Sequence, residues 1–327
     1  MDAIPSYQLT VIALGAIGFG IWLLIKGGDL TIDSAATVAE RSGLSKLFIA
    51  ATIVAFGTSA PELVTSVNAH LQGFPGIAIG NVIGSNIANV LFVVGISAMI
   101  APVLINRKDV RVDTIMMIVA TIIMAVAVWY GLLPAWGGLA MVAIIVIYVI
   151  YQYRASKIEV EADEKKDDDD SMLSNPYVLV FVGIGVLVVG SEILVQGAVV
   201  GGRALGVPEA VIGMTLIAFG TSLPELTACV AAARKGQSEM IVGGIVGSNI
   251  FNILFVMGIT AVVKPLVIEP RFLHFDLPAV LLVTAVFSFF LLFAGRIGRV
   301  VGGVMVAAYV LFTVAQYSGI AEKFVGA

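Results

Sequence analysis

Shifted by 163 residues, this sequence matches itself. Residues 55–103 read AFGTSAPELVTSVNAHLQGFPGIAIGNVIGSNIANVLFVVGISAMIAPV, and residues 218–266 read AFGTSLPELTACVAAARKGQSEMIVGGIVGSNIFNILFVMGITAVVKPL. Without a gap, 24 of those 49 positions are identical. The same shift pairs Gly43 with Gly206, Gly27 with Gly190 and Asp29 with Glu192. The chain is therefore two copies of one unit, and any fold it adopts must use that unit twice.

Composition says what kind of unit it is. Hydrophobic residues make up 59% of the 327 and charged residues 12%. Soluble domains carry about 25% charge. A soluble enzyme, a disordered chain and a nucleic-acid binder are excluded. One membrane span needs about 20 apolar residues. Apolar stretches near 8–31, 44–69, 75–101, 112–131, 133–153, 174–200, 207–233, 239–263, 273–294 and 297–317 predict ten helical spans. The expected class is an all-α membrane protein. Residues 1–153 form the first five-helix repeat, 154–173 an acidic linker and 174–327 the second repeat. An odd number of spans per repeat forces the second half to insert upside down. Inverted repeats are a transporter architecture, with the substrate site near the midplane.

Lys and Arg set the orientation. With the N-terminus outside, the cytoplasmic side receives 14 of them and the outer side 4. Both termini are expected outside, the linker in the cytoplasm, and the first apolar run is read as a retained span of a plasma-membrane protein. The net charge of −4 resides entirely between Arg154 and Asp170, so it says nothing about partners. The Asp167–Asp170 run reads as a solvated tether. Trp129, Tyr130, Trp136, Tyr151, Tyr153 and Tyr177 fall near predicted span ends, where amphipathic rings prefer to sit. Cys229 stands alone, so no disulfide forms within the chain.

The duplicated segments carry the chemistry. Gly57–Glu62 and Gly220–Glu225 place Pro inside a span and Glu directly after it. Pro interrupts a helix and frees carbonyls that lipid cannot satisfy. A carboxylate at that depth costs several kcal/mol and is a functional candidate by default. Of 14 acidic residues outside the linker, Glu62 and Glu225 stand clear of loops and span ends. In the following spans, Ser85 and Asn89 are four apart and share a helix face, as do Ser248 and Asn252. Each half thus offers a Glu, hydroxyls, an amide oxygen and freed carbonyls. An all-oxygen site suits hard cations such as Ca²⁺. Zn²⁺ and copper want His or Cys, and neither motif has one. Two ionised Glu balance one Ca²⁺ or two Na⁺, a physical basis for competition and antiport. No cofactor is expected: the Gly-rich runs lack the Lys of a phosphate-binding loop.

The paired GTSxPE and GSNxxN segments, with ten spans in two halves and a short linker, resemble the prokaryotic Na⁺/Ca²⁺ exchangers of the cation/Ca²⁺ exchanger superfamily. That resemblance covers essentially the whole chain. It implies a secondary antiporter, not an enzyme, that carries Ca²⁺ and Na⁺ through the lipid bilayer with no nucleic acid and no obligatory protein partner. By position, it implies ion ligands at Thr58, Ser59, Glu62, Ser85 and Asn89, and at Thr221, Ser222, Glu225, Ser248 and Asn252. Ala55 and Ala218 would add carbonyls. Many relatives have Asp where this chain has Asn252, which leaves stoichiometry and any K⁺ or H⁺ dependence open. A H⁺- or K⁺-coupled divalent-cation exchanger and, in a different class, a cation channel stay open as alternatives. Asn86 and Asn249 point about 100° away from the site face and read as packing or capping residues. Asp29 lies one turn from Lys26 and reads as a local ion pair. Glu192, His70 and His274 carry no expected role in transport.

Overall fold

Lipid leaves a backbone no partner but itself, so apolar runs of this length become helices. The computed structural model describes residues 6–156, 175–204 and 220–317. Ten main helices can be named: α1 (Ser6–Ser42), α2 (Ala60–Leu71), α3 (Pro75–Ala88), α4 (Arg111–Tyr130), α5 (Ala135–Ala155), α6 (Pro176–Ala204), α7 (Leu223–Arg234), α8 (Ser238–Phe251), α9 (Leu277–Phe289) and α10 (Arg299–Tyr317). Among the described residues, eight helical segments are long and apolar enough to cross a membrane. The count is nine if the bent pair Lys46–Thr58 and Ala60–Leu71 is taken as one span. The expected seventh span is seen only through α7, because its first part lies outside the described residues, as does the linker from residue 157 to residue 174. The α1 helix runs well past the expected end at residue 31.

The repeat is visible in the elements. Ala60–Leu71 and Leu223–Arg234 begin and end 163 residues apart, and so do Pro75–Ala88 and Ser238–Phe251. Both α3 and α8 run directly into a π-helical turn, Asn89–Val94 and Asn252–Met257, and then into a short helix, Gly95–Ile100 and Gly258–Val263. Four two-residue strands close the ends: β1 (Val103–Leu104), β2 (Leu132–Leu133), β3 (Leu266–Val267) and β4 (Arg296–Ile297). β1 pairs antiparallel with β4, with Val103 opposite Ile297. β2 pairs antiparallel with β3, with Leu132 opposite Val267. Each half therefore clasps the other twice.

α1 and α6 lie against one another along most of their length. Glycines make this possible. A Cβ at Gly20, Gly27, Gly183 or Gly190 would lie 2.5–2.9 Å from atoms of the facing helix. Small residues let membrane helices approach in this way. The lipid-facing character is equally clear: the six aromatics expected at span ends are all exposed.

Asp29 does not pair with Lys26. Its carboxylate lies 3.7 Å from Lys235 Nζ, which also reaches Asp33 at 2.6 Å. The contact joins α1 to the end of α7 in the other half, and its exposure limits it to about 1 kcal/mol or less. Glu192 accepts a hydrogen bond from Gln196 on its own helix, which agrees with a local role.

Two buried acids were not singled out by the sequence. Asp113 Oδ1 accepts hydrogen bonds from Tyr148 Oη (2.6 Å) and from Gln152 Nε2. Asp276, 163 residues on, accepts from Gln316 Nε2 at 2.7 Å. These bonds tie α4 to α5 and the start of α9 to α10. Tyr148→Phe removes one donor from a buried carboxylate, which costs about 1–3 kcal/mol. A melting temperature measured in detergent is expected to fall by several degrees, whereas an unchanged value would show the acid is held without Tyr148.

Candidate functional site

The GTSxPE segment does not kink a continuous helix; it ends one and begins another. The helix Ala55–Thr58 stops, Ser59 has φ −84° and ψ 6°, and α2 starts with Pro61 in its first turn. Pro is tolerated there because that N–H has no helical partner anyway. The two segments meet at a bend of 40°. The result sets Glu62 in the first turn of α2, where the helix dipole favours an anion. The second copy repeats this: Ser222 has φ −89° and ψ 5°, and Glu225 lies in the first turn of α7.

The two carboxyls enter one buried cluster. Glu62 is 0% and Glu225 3% exposed. Ser59 of the first half donates to Glu225 Oε1 at 3.1 Å, and Ser248 lies 3.5 Å from the same oxygen. Ser85 and Thr221 face the Glu62 carboxyl, although neither of its oxygens accepts a hydrogen bond. Asn89 and Asn252 each begin a π-helical turn, a distortion frequent at functional sites. Thr58, Ser59, Ser85, Thr221, Ser222, Ser248, Asn89 and Asn252 are all buried with the two acids.

Several polar atoms here have no partner among the described residues. Both Glu62 oxygens, Glu225 Oε2, Ser222 Oγ, Asn89 Oδ1 and Asn252 Oδ1 are buried and accept no hydrogen bond from the described residues. Buried polar groups are normally satisfied, and a carboxylate away from water is satisfied by a cation or a proton. Among the described residues, no group of three or more His, Cys, Asp or Glu side chains could by itself hold a metal ion. What the cluster fits is a hard cation taking hydroxyl, amide and carboxylate oxygens together.

Two expected carbonyl ligands stand differently. The Ala55 carbonyl accepts from Ser59 N at 3.0 Å and Thr58 Oγ1 at 3.3 Å, so the helix end uses it. Ala218 lies outside the described residues. Gly220 does offer its carbonyl, but Ser191 Oγ on α6 donates to it at 2.6 Å.

The cluster also contains residues the motif comparison passed over. Asn81 Nδ2 donates to the Glu62 carbonyl (3.1 Å) and to Ser66 Oγ (2.9 Å), while Thr221 Oγ1 lies 3.5 Å from Asn81 Oδ1. Asn81 thereby joins a Glu of one half to a Thr of the other. The signal was present: Asn81, Ser85 and Asn89 fall four apart on one face of α3. Asn86 donates to the Val82 carbonyl of its own helix at 2.7 Å, in keeping with a packing role. Asn249 does not share that role: its Oδ1 accepts from Asn89 Nδ2 at 3.1 Å, across the halves.

Comparison with known proteins agrees with this chemistry. The family model described as sodium/calcium exchanger protein matches residues 12–154 and 175–318. An uncharacterized membrane protein of Methanocaldococcus jannaschii, MJ0091, is 32% identical over 93% of this chain and 97% of its own length. The sodium/calcium exchanger MaX1 of Methanosarcina acetivorans is 30% identical over 91% of this chain and 96% of its own length. A solved structure of the sodium-calcium exchanger NCX_Mj superposes with a TM-score of 0.81 at 30% identity, covering 92% of this chain and 98% of that one. Matched through both halves, with its oxygen cluster at their meeting point, the chain belongs to the sodium/calcium exchanger family.

Proposed function

We propose that this protein exchanges Na⁺ for Ca²⁺ by alternating access, with both ions competing for the cluster built on Glu62 and Glu225. One observation carries the reading: two buried carboxyls from opposite halves, set among buried hydroxyl and amide groups, in a chain of membrane-crossing helices. Two Glu charges are balanced by one Ca²⁺ or by two Na⁺. The loaded site is then near neutral and can face either side, while the empty site keeps bare carboxylates in a low-dielectric interior and moves reluctantly. The hydroxyls of Thr58, Ser59, Ser85, Thr221, Ser222 and Ser248, with the amide oxygens of Asn89 and Asn252, complete the ion shells.

The same reading takes the chain as ten spans in two inverted halves, in the plasma membrane, with both termini outside. Its supports are the 163-residue register between the halves and the bias of Lys and Arg. The glycine-lined pair α1 and α6 is the natural moving element, since it contributes none of the proposed side-chain ligands.

The test is radioactive Ca²⁺ uptake into proteoliposomes loaded with Na⁺, K⁺ or choline, or given a pH gradient. Uptake only with internal Na⁺ is expected. Uptake driven by K⁺ or H⁺ would overturn the Na⁺ coupling, and uptake with choline alone would make the protein a channel. Asn252→Asp adds a third carboxylate to the cluster. Because charge count tunes the affinity of oxygen sites, half-saturating Ca²⁺ is expected to fall about tenfold in the same assay. An increase would mean that Asn252 does not face the ion.

A further inference from the structure

The repeat generates two possible amide bridges between the halves, and only one is made. Asn86 corresponds to Asn249 and Asn89 to Asn252. Asn89 Nδ2 donates to Asn249 Oδ1 at 3.1 Å. The counterpart would join Asn252 to Asn86, and the turn beginning at Asn252 does pack on the helix carrying Asn86. Yet Asn86 spends its Nδ2 on the Val82 carbonyl, and its Oδ1 and both polar atoms of Asn252 are buried without partners among the described residues.

The bridge that is made has a direction. Asn249 Nδ2 lies 4.0 Å from Met117 Sδ on α4. A thioether accepts weakly and never donates. The amide group of Asn249 therefore turns its NH₂ toward the sulfur and its oxygen toward Asn89. Reversed, it would press a carbonyl oxygen against the sulfur lone pairs. With Asn249 presenting an oxygen, Asn89 must present its NH₂ in return. Its own oxygen is then left pointing elsewhere, and that oxygen is among the buried unpartnered ones. A rotated Asn89 would offer the ions two N–H donors, which repel a cation.

We propose that Asn249 is a positioning residue that fixes the Asn89 amide with its oxygen toward the transported cation. The inference rests on the exchange reading for the identity of that cation, but it is tested by binding. The purified protein in detergent is titrated with Ca²⁺ and its melting temperature followed, since a ligand of the native state stabilises it by mass action. Uptake into Na⁺-loaded vesicles is measured in parallel.

Asn249→Leu keeps the size and removes the acceptor. It is expected to raise the half-stabilising Ca²⁺ concentration about tenfold, the worth of one oriented oxygen ligand. Asn86→Leu, which loses only a bond within its own helix, is expected to stay within about twofold. The decisive comparison uses an Asn89→Asp background. There both ends of side chain 89 are oxygens and nothing needs orienting, so adding Asn249→Leu is expected to weaken binding less than about threefold. A residue that merely packs would show the same loss in both backgrounds.

Equal losses in the two backgrounds, an unchanged Ca²⁺ titration for Asn249→Leu, or an equal loss for Asn86→Leu would each overturn the inference. A wild-type protein that neither binds Ca²⁺ nor is stabilised by it would overturn both readings. One that binds Ca²⁺, is weakened by Asn249→Leu and shows no Na⁺-driven uptake would overturn exchange and leave the positioning role standing.

Discussion

Glu62→Gln is expected to cut Na⁺-driven Ca²⁺ uptake at least about 100-fold, which corresponds to losing roughly 3 kcal/mol of charge-assisted ligation. The two acids are not equivalent in their surroundings. Among the described residues, Ser59 and Ser248 engage one Glu225 oxygen, whereas Ser85 and Thr221 face the Glu62 carboxyl without closing a hydrogen bond. Stability should move the other way. Gln keeps the size and needs neither a cation nor a proton, so it relieves the cost of holding this acid away from water. Without divalent ions the Glu62→Gln protein should melt higher than its parent, and added Ca²⁺ should no longer raise that temperature. This opposition of stability and function marks a binding group rather than a structural one. Full uptake by Glu62→Gln would remove it from the site, and a lower melting temperature in chelator would mean that its charge is satisfied by the protein.

Gly247→Ala is expected to disable the protein by a different route. An added Cβ at this position would lie 2.3 Å from the Ala51 carbonyl oxygen and 2.6 Å from its Cα. Both are backbone atoms, so α8 and the π-helical turn Ala50–Val54 would have to part. Overpacking of this kind costs about 1–3 kcal/mol or more. That turn leads directly into Thr58, Ser59 and Glu62, so the displacement reaches the ions. Gly244, one helical turn earlier, has no heavy atom of the described residues within 4 Å of the corresponding point. Gly244→Ala should be neutral or stabilising by up to about 1 kcal/mol. Melting curves and uptake for the two variants give the comparison. Equal behaviour would show that the α8 seam is not tightly packed at Gly247.

The spans were legible because lipid allows few solutions. Apolar runs at 75–101, 112–131 and 239–263 became Pro75–Ile100, Arg111–Tyr130 and Ser238–Val263. The break before Glu62 was legible because Pro has one comfortable place in a helix, its first turn. The ligand candidates could be read because each appears twice. Two causes hid the rest of the cluster and the contacts between the halves. Asn81 was hidden by the comparison itself, since its counterpart is Gly244 and the repeat gives it no second witness. Asn249, the partner of Asp29 and the β1–β4 pair were hidden because each contact joins the two halves. A helical wheel turns Asn249 away from Ser248 and Asn252, and only the packing of α8 against the Asn89 turn shows what lies on that side. Lys235 stands 202 residues from Asp33, beyond the reach of any local rule.

The bond from Ser59 to Glu225 spans 166 residues. Its consequence belongs to the ribosome. At about 5–20 residues per second, roughly 8–30 s separate the synthesis of the first half's ligands from that of the second's. Throughout that interval Glu62 exists without Thr221, Asn89 without Asn249, and the two-residue strands without their mates. A nascent chain released after its fifth span would carry Glu62 in a membrane domain without the second-half groups, Thr221 and Glu225, that face it. The cluster is thus completed only when the second half is made, with α9 and α10 still to follow.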